Sequence, residues 1–366
     1  MENKDNSRVW KIICLVLVCL LAVVGVMYVQ KTNNNNSDNN ETPSEQVEVE
    51  YLSSWNDDAR AKQELIAYME AITDENNADY IPVESRIAVF DMDGTVCCET
   101  DPGYFDHMLF MHRVNDDPTY TPTDVDLATA EKVQSYFDTG KYPSGLDIEH
   151  GQGIASTFKG FTLEEFDAYI KEYKNTPMNS YENMTLGEAF YVPMLEVIDY
   201  LQANDFKVYI VSGTDRLIVR SYIDGVIDIP NSQIIGSDET IIARDQGDVD
   251  GLEYVFDEDD ELVLGGTFVT KNLKMNKVTV IQQEIGEQPV LSFGNSSGDA
   301  SMAEYATSNN KYRSLAFMNC CDDLVRENGN EASAEKMYGL CEQFGWIPVS
   351  MKNDWKTIYK EGVTKK

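Results

Sequence analysis

Asp91-Met92-Asp93-Gly94-Thr95 follows the apolar run Ile87-Ala88-Val89-Phe90. The run reads as a buried strand, so two carboxylates stand just past its end. In an open α/β sheet that rim is where ligands bind. Acids placed there are costly unless a cation or a reacting group uses them. Asp and Gly also make plain turns, so the motif gains its meaning from partners further along. Three are present. Ser212-Gly213 follows the apolar run Val208-Tyr209-Ile210-Val211, Lys277 stands in a helical stretch, and Gly294-Asn295-Ser296-Ser297-Gly298-Asp299 follows Val290-Leu291-Ser292-Phe293.

The elements that must hold these groups are legible from periodicity. Strands are expected over 86–90, 208–211, 233–236, 290–293 and 313–318. Helices are expected over 54–73, 125–137, 163–173, 193–203 and 217–223, where apolar residues recur at helical spacing. Thr162 and Glu165 form a capping box before one of them, and Pro193 opens another. Strands alternating with helices imply a parallel, doubly wound α/β sheet. The stretch between the first two strands is mostly helical, and 252–270 alternates as a small β-hairpin insert. In a parallel sheet the three polar strand ends share one rim. The core is expected over 80–99 and 190–366 within a globular part 51–366, with a helical cap over about 100–189.

The ordered set Asp91-x-Asp93, Ser212, Lys277 and Gly294-Asn295-x-x-x-Asp299 resembles the four signatures of the haloacid dehalogenase (HAD) superfamily of phosphatases. It is most similar to the branch with a cap inserted after the first signature, that of phosphoserine and phosphorylcholine phosphatases. The resemblance implies a hydrolase of a small phosphorylated molecule. Asp91 would attack phosphorus and form an aspartyl-phosphate. Asp93 would protonate the leaving oxygen and later activate water. Ser212 and the Gly213 N–H would hold phosphoryl oxygens, and Lys277 would offset their charge. A phosphate dianion among so many acids needs a divalent cation, and an all-oxygen ligand set suits Mg²⁺. Asp91, the Asp93 carbonyl, Asn295 and Asp299 are the metal-site candidates. Asn295 departs from the Asp that many members carry, which removes one negative charge from the metal site. A catalytically silent binding protein of the same fold, or a phosphotransferase, are the alternative readings.

Substrate recognition is expected in the cap. Glu99 stands where related phosphatases place a carboxylate that meets a substrate amine. Tyr104, Phe105, Phe110 and Tyr120 are candidates for a pocket wall or for core packing. His107 and His112 are five apart, not four, and read as ordinary histidines. The acidic segment 246–257 resembles a Ca²⁺ loop only loosely, because Gln246 and Asp257 hold its first and twelfth positions.

Net charge is −34 with a pI near 4.3. Such a surface repels nucleic acid and anionic lipid. Residues 12–29 form an uncharged apolar run long enough to span a bilayer. Lys4, Arg8 and Lys11 precede it. The expectation is a single-pass signal anchor, with residues 1–11 cytoplasmic, a disordered linker over 30–50 and the catalytic part outside; cleavage and secretion is the second possibility. Five cysteines lie beyond the run: Cys97, Cys98, Cys320, Cys321 and Cys341. An oxidising exterior would permit disulfides among them.

Overall fold

The computed structural model describes residues 51–366, which form one compact unit. Helix α1 (Arg60–Thr73) leads to strand β1 (Ile87–Phe90). Four helices follow before the next sheet strand: α2 (Phe105–Asn115), α3 (Asp124–Thr139), α4 (Leu146–Thr157) and α5 (Leu163–Tyr173). Strand β2 (Tyr181–Glu182) and helix α6 (Val192–Ala203) return the chain to the sheet. Then come β3 (Lys207–Asp215), α7 (Arg216–Ile223), β4 (Ile234–Ala243), β5 (Leu262–Thr270), α8 (Met275–Val280) and β6 (Leu291–Gly294). The chain finishes with α9 (Ala300–Thr307), β7 (Leu315–Cys320), α10 (Glu331–Phe344), β8 (Ile347–Ser350) and β9 (Thr364–Lys365).

The main sheet has the order β5-β4-β3-β1-β6-β7-β8. All neighbours pair in parallel except β4 and β5. Because strand side chains alternate between faces, Ala88 and Phe90 pack into the cluster that holds Leu65 and Met69 of α1 and Ile198 and Leu201 of α6. Val89 points the other way, into a cluster with Val211, Ile235, Ile281 and Met302. Helices thus cover both faces, as a parallel sheet requires. Phe90, Phe293 and Phe317 stack across three adjacent strands, with centroids 4.2 and 5.0 Å apart.

The expected hairpin differs in register and span. Its partner strands are β4 and β5, which pair Ile241 with Leu264 and Ala243 with Leu262. The acidic stretch 246–257 lies in the connection between them, so the hairpin extends the sheet edge instead of standing as a separate insert. The capping box of Thr162 and Glu165 opens α5. A smaller sheet pairs β2 with β9 and fastens the C-terminal strand to the inserted segment. Glu327, fully buried, accepts from Thr100 Oγ1 at 3.1 Å and from the Tyr181 and Tyr359 hydroxyls, fixing the segment that follows Glu99.

The expected membrane anchor needs correction. No helix of the described residues is long and apolar enough to cross a membrane, and segment 12–29 lies outside the described residues, as does the linker over 30–50. The single-pass placement and the membrane contact drawn from that segment are withdrawn with it. The five cysteines of the described residues are all free thiols, and no disulfide pairs them.

One acid in the sheet is poorly placed as an anion. Neither carboxylate oxygen of the buried Glu239 has a hydrogen-bond partner. Burial, then the Asp215 carboxylate, pushes its carboxyl from 4.5 up to about 9.

Two outcomes are expected. Phe293→Ala removes the middle ring of the stack and should cost about 3–5 kcal/mol in urea denaturation. Between roughly pH 4.5 and 9 the folded chain holds a proton on Glu239 that the unfolded chain releases. Stability should therefore fall as pH rises through that window. Glu239→Gln should flatten the slope of urea midpoint against pH and stabilise the chain most at its alkaline end.

Candidate active site

Asp91 is placed by the β1 ladder itself: its N–H donates to Phe293 O at 2.9 Å, continuing the pairing with β6. The chain then turns sharply. Gly94 has φ +72°, and a Cβ there would lie 1.9 Å from Asn295 Nδ2, so only glycine fits. Asn319, on β7, pins the turn by donating to Thr95 O at 2.8 Å. Thr95 Oγ1 lies 3.4 Å from Asp91 Oδ2.

Lys277 comes from α8 and is completely buried. Its Nζ donates to Asp91 Oδ1 at 2.6 Å and to Asp299 Oδ1 at 2.7 Å. The second oxygen of Asp299 accepts from Asn295 N at 3.1 Å and from Ser296 N at 3.0 Å. Both Asp299 oxygens are thereby committed to the protein, so Asp299 orients Lys277 and the loop after β6. Asn295 donates through Nδ2 to Glu99 Oε1 at 2.9 Å. Its Oδ1 is buried and has no hydrogen-bond donor, leaving an oxygen lone pair free for a cation.

On the β3 side, Thr214 Oγ1 donates to Asp93 Oδ2 at 2.8 Å. Ser212 is fully buried, and its Oγ accepts from Thr214 N at 3.0 Å. Gly213 and Thr214 line the cavity beside Asp91 and Asp93, whereas Ser212 lies behind them. Thr214 was not singled out in the sequence because its neighbour Ser212 offers the same hydroxyl. Between Val211 and Asp215 the register with β4 shifts.

The electrostatics separate the two site acids. Burial, then Asp299, raises Asp91 to about 6, against the opposing pull of Lys277. Burial, then Asp106 and Asp91, raises Asp93 to about 8. Glu99 is pushed well above the usual carboxylate range by burial and then by Asp93 and Asp91. Burial alone would lower Lys277, yet Asp299 and Asp91 hold its ammonium above the ordinary lysine value.

The cavity in front of these groups has a volume of about 270 Å³. Strand-end residues Asp91, Asp93 and Asn295 share its wall with Tyr104, Asp106, His107 and Tyr142 from the inserted segment, and with Lys271 and Lys274. Of the four aromatic candidates, Tyr104 lines the cavity, Phe105 and Phe110 are core residues, and Tyr120 lies away from the cavity, donating to Asp126 Oδ2 at 2.7 Å. His107 is buried, lines the cavity and lies 2.7 Å from Asp106 Oδ1. His112 lies apart from it, with its side chain 39% exposed. The pairing of His107 with His150, 43 positions on, leaves no periodic trace in the sequence. Cys97 and Cys98 are buried and their thiols are raised well above the ordinary value by that burial, so neither supplies a thiolate.

No family model matches the sequence, and no curated protein is similar to it. Solved structures of similar fold exist. A conserved protein of unknown function from Anaerococcus prevotii is 14% identical over 83% of this chain and 97% of its own, with a TM-score of 0.49. Cytosolic 5'-nucleotidase IIIB bound to cytidine is 14% identical over 81% of this chain and 88% of its own, with a TM-score of 0.48. A putative haloacid dehalogenase-like hydrolase from Bacteroides fragilis is 12% identical over 72% and 96%, with a TM-score of 0.34. Likenesses this distant give the present chain neither an activity nor a substrate.

Lys277→Met should leave Asp91 and Asp299 buried without their cation. A loss of about 3–5 kcal/mol is expected in denaturation. Adding Asp299→Asn should recover part of it, and strict additivity of the two changes would contradict the coupling.

Proposed function

We propose that the chain is a Mg²⁺-dependent phosphomonoester hydrolase of the HAD type, acting on a small phosphorylated molecule through an aspartyl-phosphate on Asp91. The observation that carries this reading is the convergence of four separate chain segments on one cavity. They bring the carboxyl pair Asp91 and Asp93, the Thr214 hydroxyl, a buried ammonium and an amide oxygen without a donor. A cavity of this size suits a small ester.

The two carboxyls suit different tasks. At pH 7 Asp91 is mostly ionised, and Lys277 fixes its Oδ1, so Oδ2, which meets only the Thr95 hydroxyl at 3.4 Å, is the oxygen left to attack phosphorus in line. The P–O bond to the leaving group breaks as the Asp91–phosphorus bond forms. Asp93 still carries a proton near neutrality and hydrogen-bonds to Thr214, which aims it at the departing oxygen. Having given up that proton, Asp93 takes one from a water whose oxygen bonds to phosphorus as the Asp91–phosphorus bond breaks, which releases phosphate and restores the Asp91 carboxylate. Lys277 lowers the charge around Asp91 as the phosphoryl group arrives. The Asp91 carboxylate, the Asp93 carbonyl and Asn295 Oδ1 would hold Mg²⁺, with Asp299 orienting the surrounding loop. Mg²⁺ would supply neutralisation of the phosphoryl oxygens. Gly213 and Thr214 are placed to meet phosphoryl oxygens from the β3 side, and Ser212 braces them. The segment over about 100–189 acts as the cap that closes the site and reads the rest of the substrate, with Glu99 at its hinge to the core.

Phosphate release from p-nitrophenyl phosphate and a panel of small phosphoesters, with Mg²⁺ present, tests the reading. Asp91→Asn should abolish turnover. Asp93→Asn should lower kcat by roughly 10²–10⁴-fold. Unchanged turnover in Asp91→Asn, or no hydrolysis of any ester by the native chain, would overturn it.

A further inference from the structure

The inserted helices carry a second cluster of metal-ligating side chains, which phosphoester chemistry leaves unused. Asp106 and His107 stand in the first turn of α2 and His150 lies on α4; they are 3%, 2% and 1% exposed. One ligand atom from each lies within 4.8 Å of the others. His107 Nδ1 is 2.7 Å from Asp106 Oδ1, and His150 Nδ1 is 3.8 Å from Asp106 Oδ2. The far nitrogen of each ring meets an oxygen. His150 Nε2 lies 3.2 Å from the Asp106 backbone carbonyl and donates to it. His107 Nε2 lies 3.2 Å from Tyr142 Oη. Tyr142 is held protonated by burial and then by the Asp147 carboxylate. Its phenol oxygen can accept from His107 Nε2–H when Nδ1 faces an ion. Metal-bound histidines are held in this way, with one nitrogen on the ion and the other N–H on an oxygen.

The decisive atom is His150 Nδ1. Because Nε2 carries the hydrogen, Nδ1 carries the lone pair, and it is buried with no hydrogen-bond partner. It lies 3.8 Å from Asp106 Oδ2. An imidazole lone pair and a carboxylate oxygen therefore share one buried space, an arrangement that a cation between them relieves. Lys271 faces the same cluster and opposes a cation there; the ionised Asp106 offsets it. Two nitrogens and a carboxylate favour a borderline transition ion over Mg²⁺, which prefers oxygen alone.

We infer that Asp106, His107 and His150 form a site for a divalent transition ion such as Zn²⁺, separate from the all-oxygen set around Asp91 and joining α2 to α4. The ion replaces the proton shared by His107 Nδ1 and Asp106 Oδ1. The two imidazoles stack with centroids 3.9 Å apart and planes 16° from parallel. Parallel lone pairs do not converge, so ion binding splays the stack. Three protein ligands leave one tetrahedral position, beside a cavity that Asp106 and His107 line.

The test is a Co²⁺ titration of the chelator-treated full chain in saturating Mg²⁺, followed by visible ligand-field absorption. One equivalent should bind with a tetrahedral-type spectrum. Asp91→Asn should keep that spectrum, while His150→Ala and His107→Gln should each lose it. Tyr142→Phe should weaken Co²⁺ binding roughly 10- to 100-fold. Circular dichroism checks folding, and if His150→Ala unfolds, the milder His107→Gln decides. No Co²⁺ spectrum in the native chain, or an unaltered spectrum in a folded His107→Gln variant, would overturn the site. Neither result depends on phosphoester hydrolysis.

Discussion

A lysine ammonium with no solvent exposure, shared between Asp91 and Asp299, is the constraint on which the site depends. An ammonium is buried at large cost unless its charge is met and its protons are donated. Here two carboxylates meet it within 2.7 Å. The arrangement works in both directions. Lys277 counters the burial that pushes the Asp91 carboxyl upward, and Asp299 keeps Lys277 charged by tying α8 to the loop after β6. Without Asp299 the lysine would have one anchor, and without Lys277 two acids would face each other in a dry pocket.

The same economy explains Asn295. The pocket already holds Asp91, Asp93, Glu99 and Asp299, and Glu99 is pushed up by its acidic neighbours. An aspartate at position 295 would add a further charge to be offset. The amide instead donates to Glu99 and leaves its oxygen lone pairs without a donor. A cation held there would meet an oxygen that brings no additional repulsion when the site is empty. The acidity of the site is also divided by function: Lys277 meets Asp91, and a neutral hydroxyl meets Asp93, so the two carboxyls titrate apart.

Much of this was legible in the chain. The strand ends before Asp91 and Asn295 are marked by short β-rich apolar runs, and parallel order follows from the intervening helices; β3 instead runs past Val211 through Ser212 to Asp215. α5 was readable to its ends because Thr162 and Glu165 cap it and its apolar stripe is clean. The helices α2 and α4 leave little periodic trace in the chain. In α2 the buried residues include Asp106, His107 and Arg113, and α4 carries His150 and glycines, so apolar periodicity fails where polar groups are buried. β4 and β5 were read short or misplaced because their pairing is set by each other across a long acidic connection. The hydroxyl that meets Asp93 cannot be told in the chain from that of Ser212, two residues earlier; only the three-dimensional structure shows that Thr214 Oγ1 makes the bond. His107 was legible only as one of a poorly spaced pair; its real partner is remote in sequence.

The most direct test of the central claim is to find where phosphorus goes. The native chain should be mixed with a labelled phosphoester and Mg²⁺, quenched in acid, and mapped by peptide mass spectrometry. The account predicts an acid-stable, hydroxylamine-labile acyl phosphate on Asp91, absent from Asp91→Asn. A phosphorylated peptide that does not contain Asp91, or rapid hydrolysis with no trapped label on the protein, would contradict it.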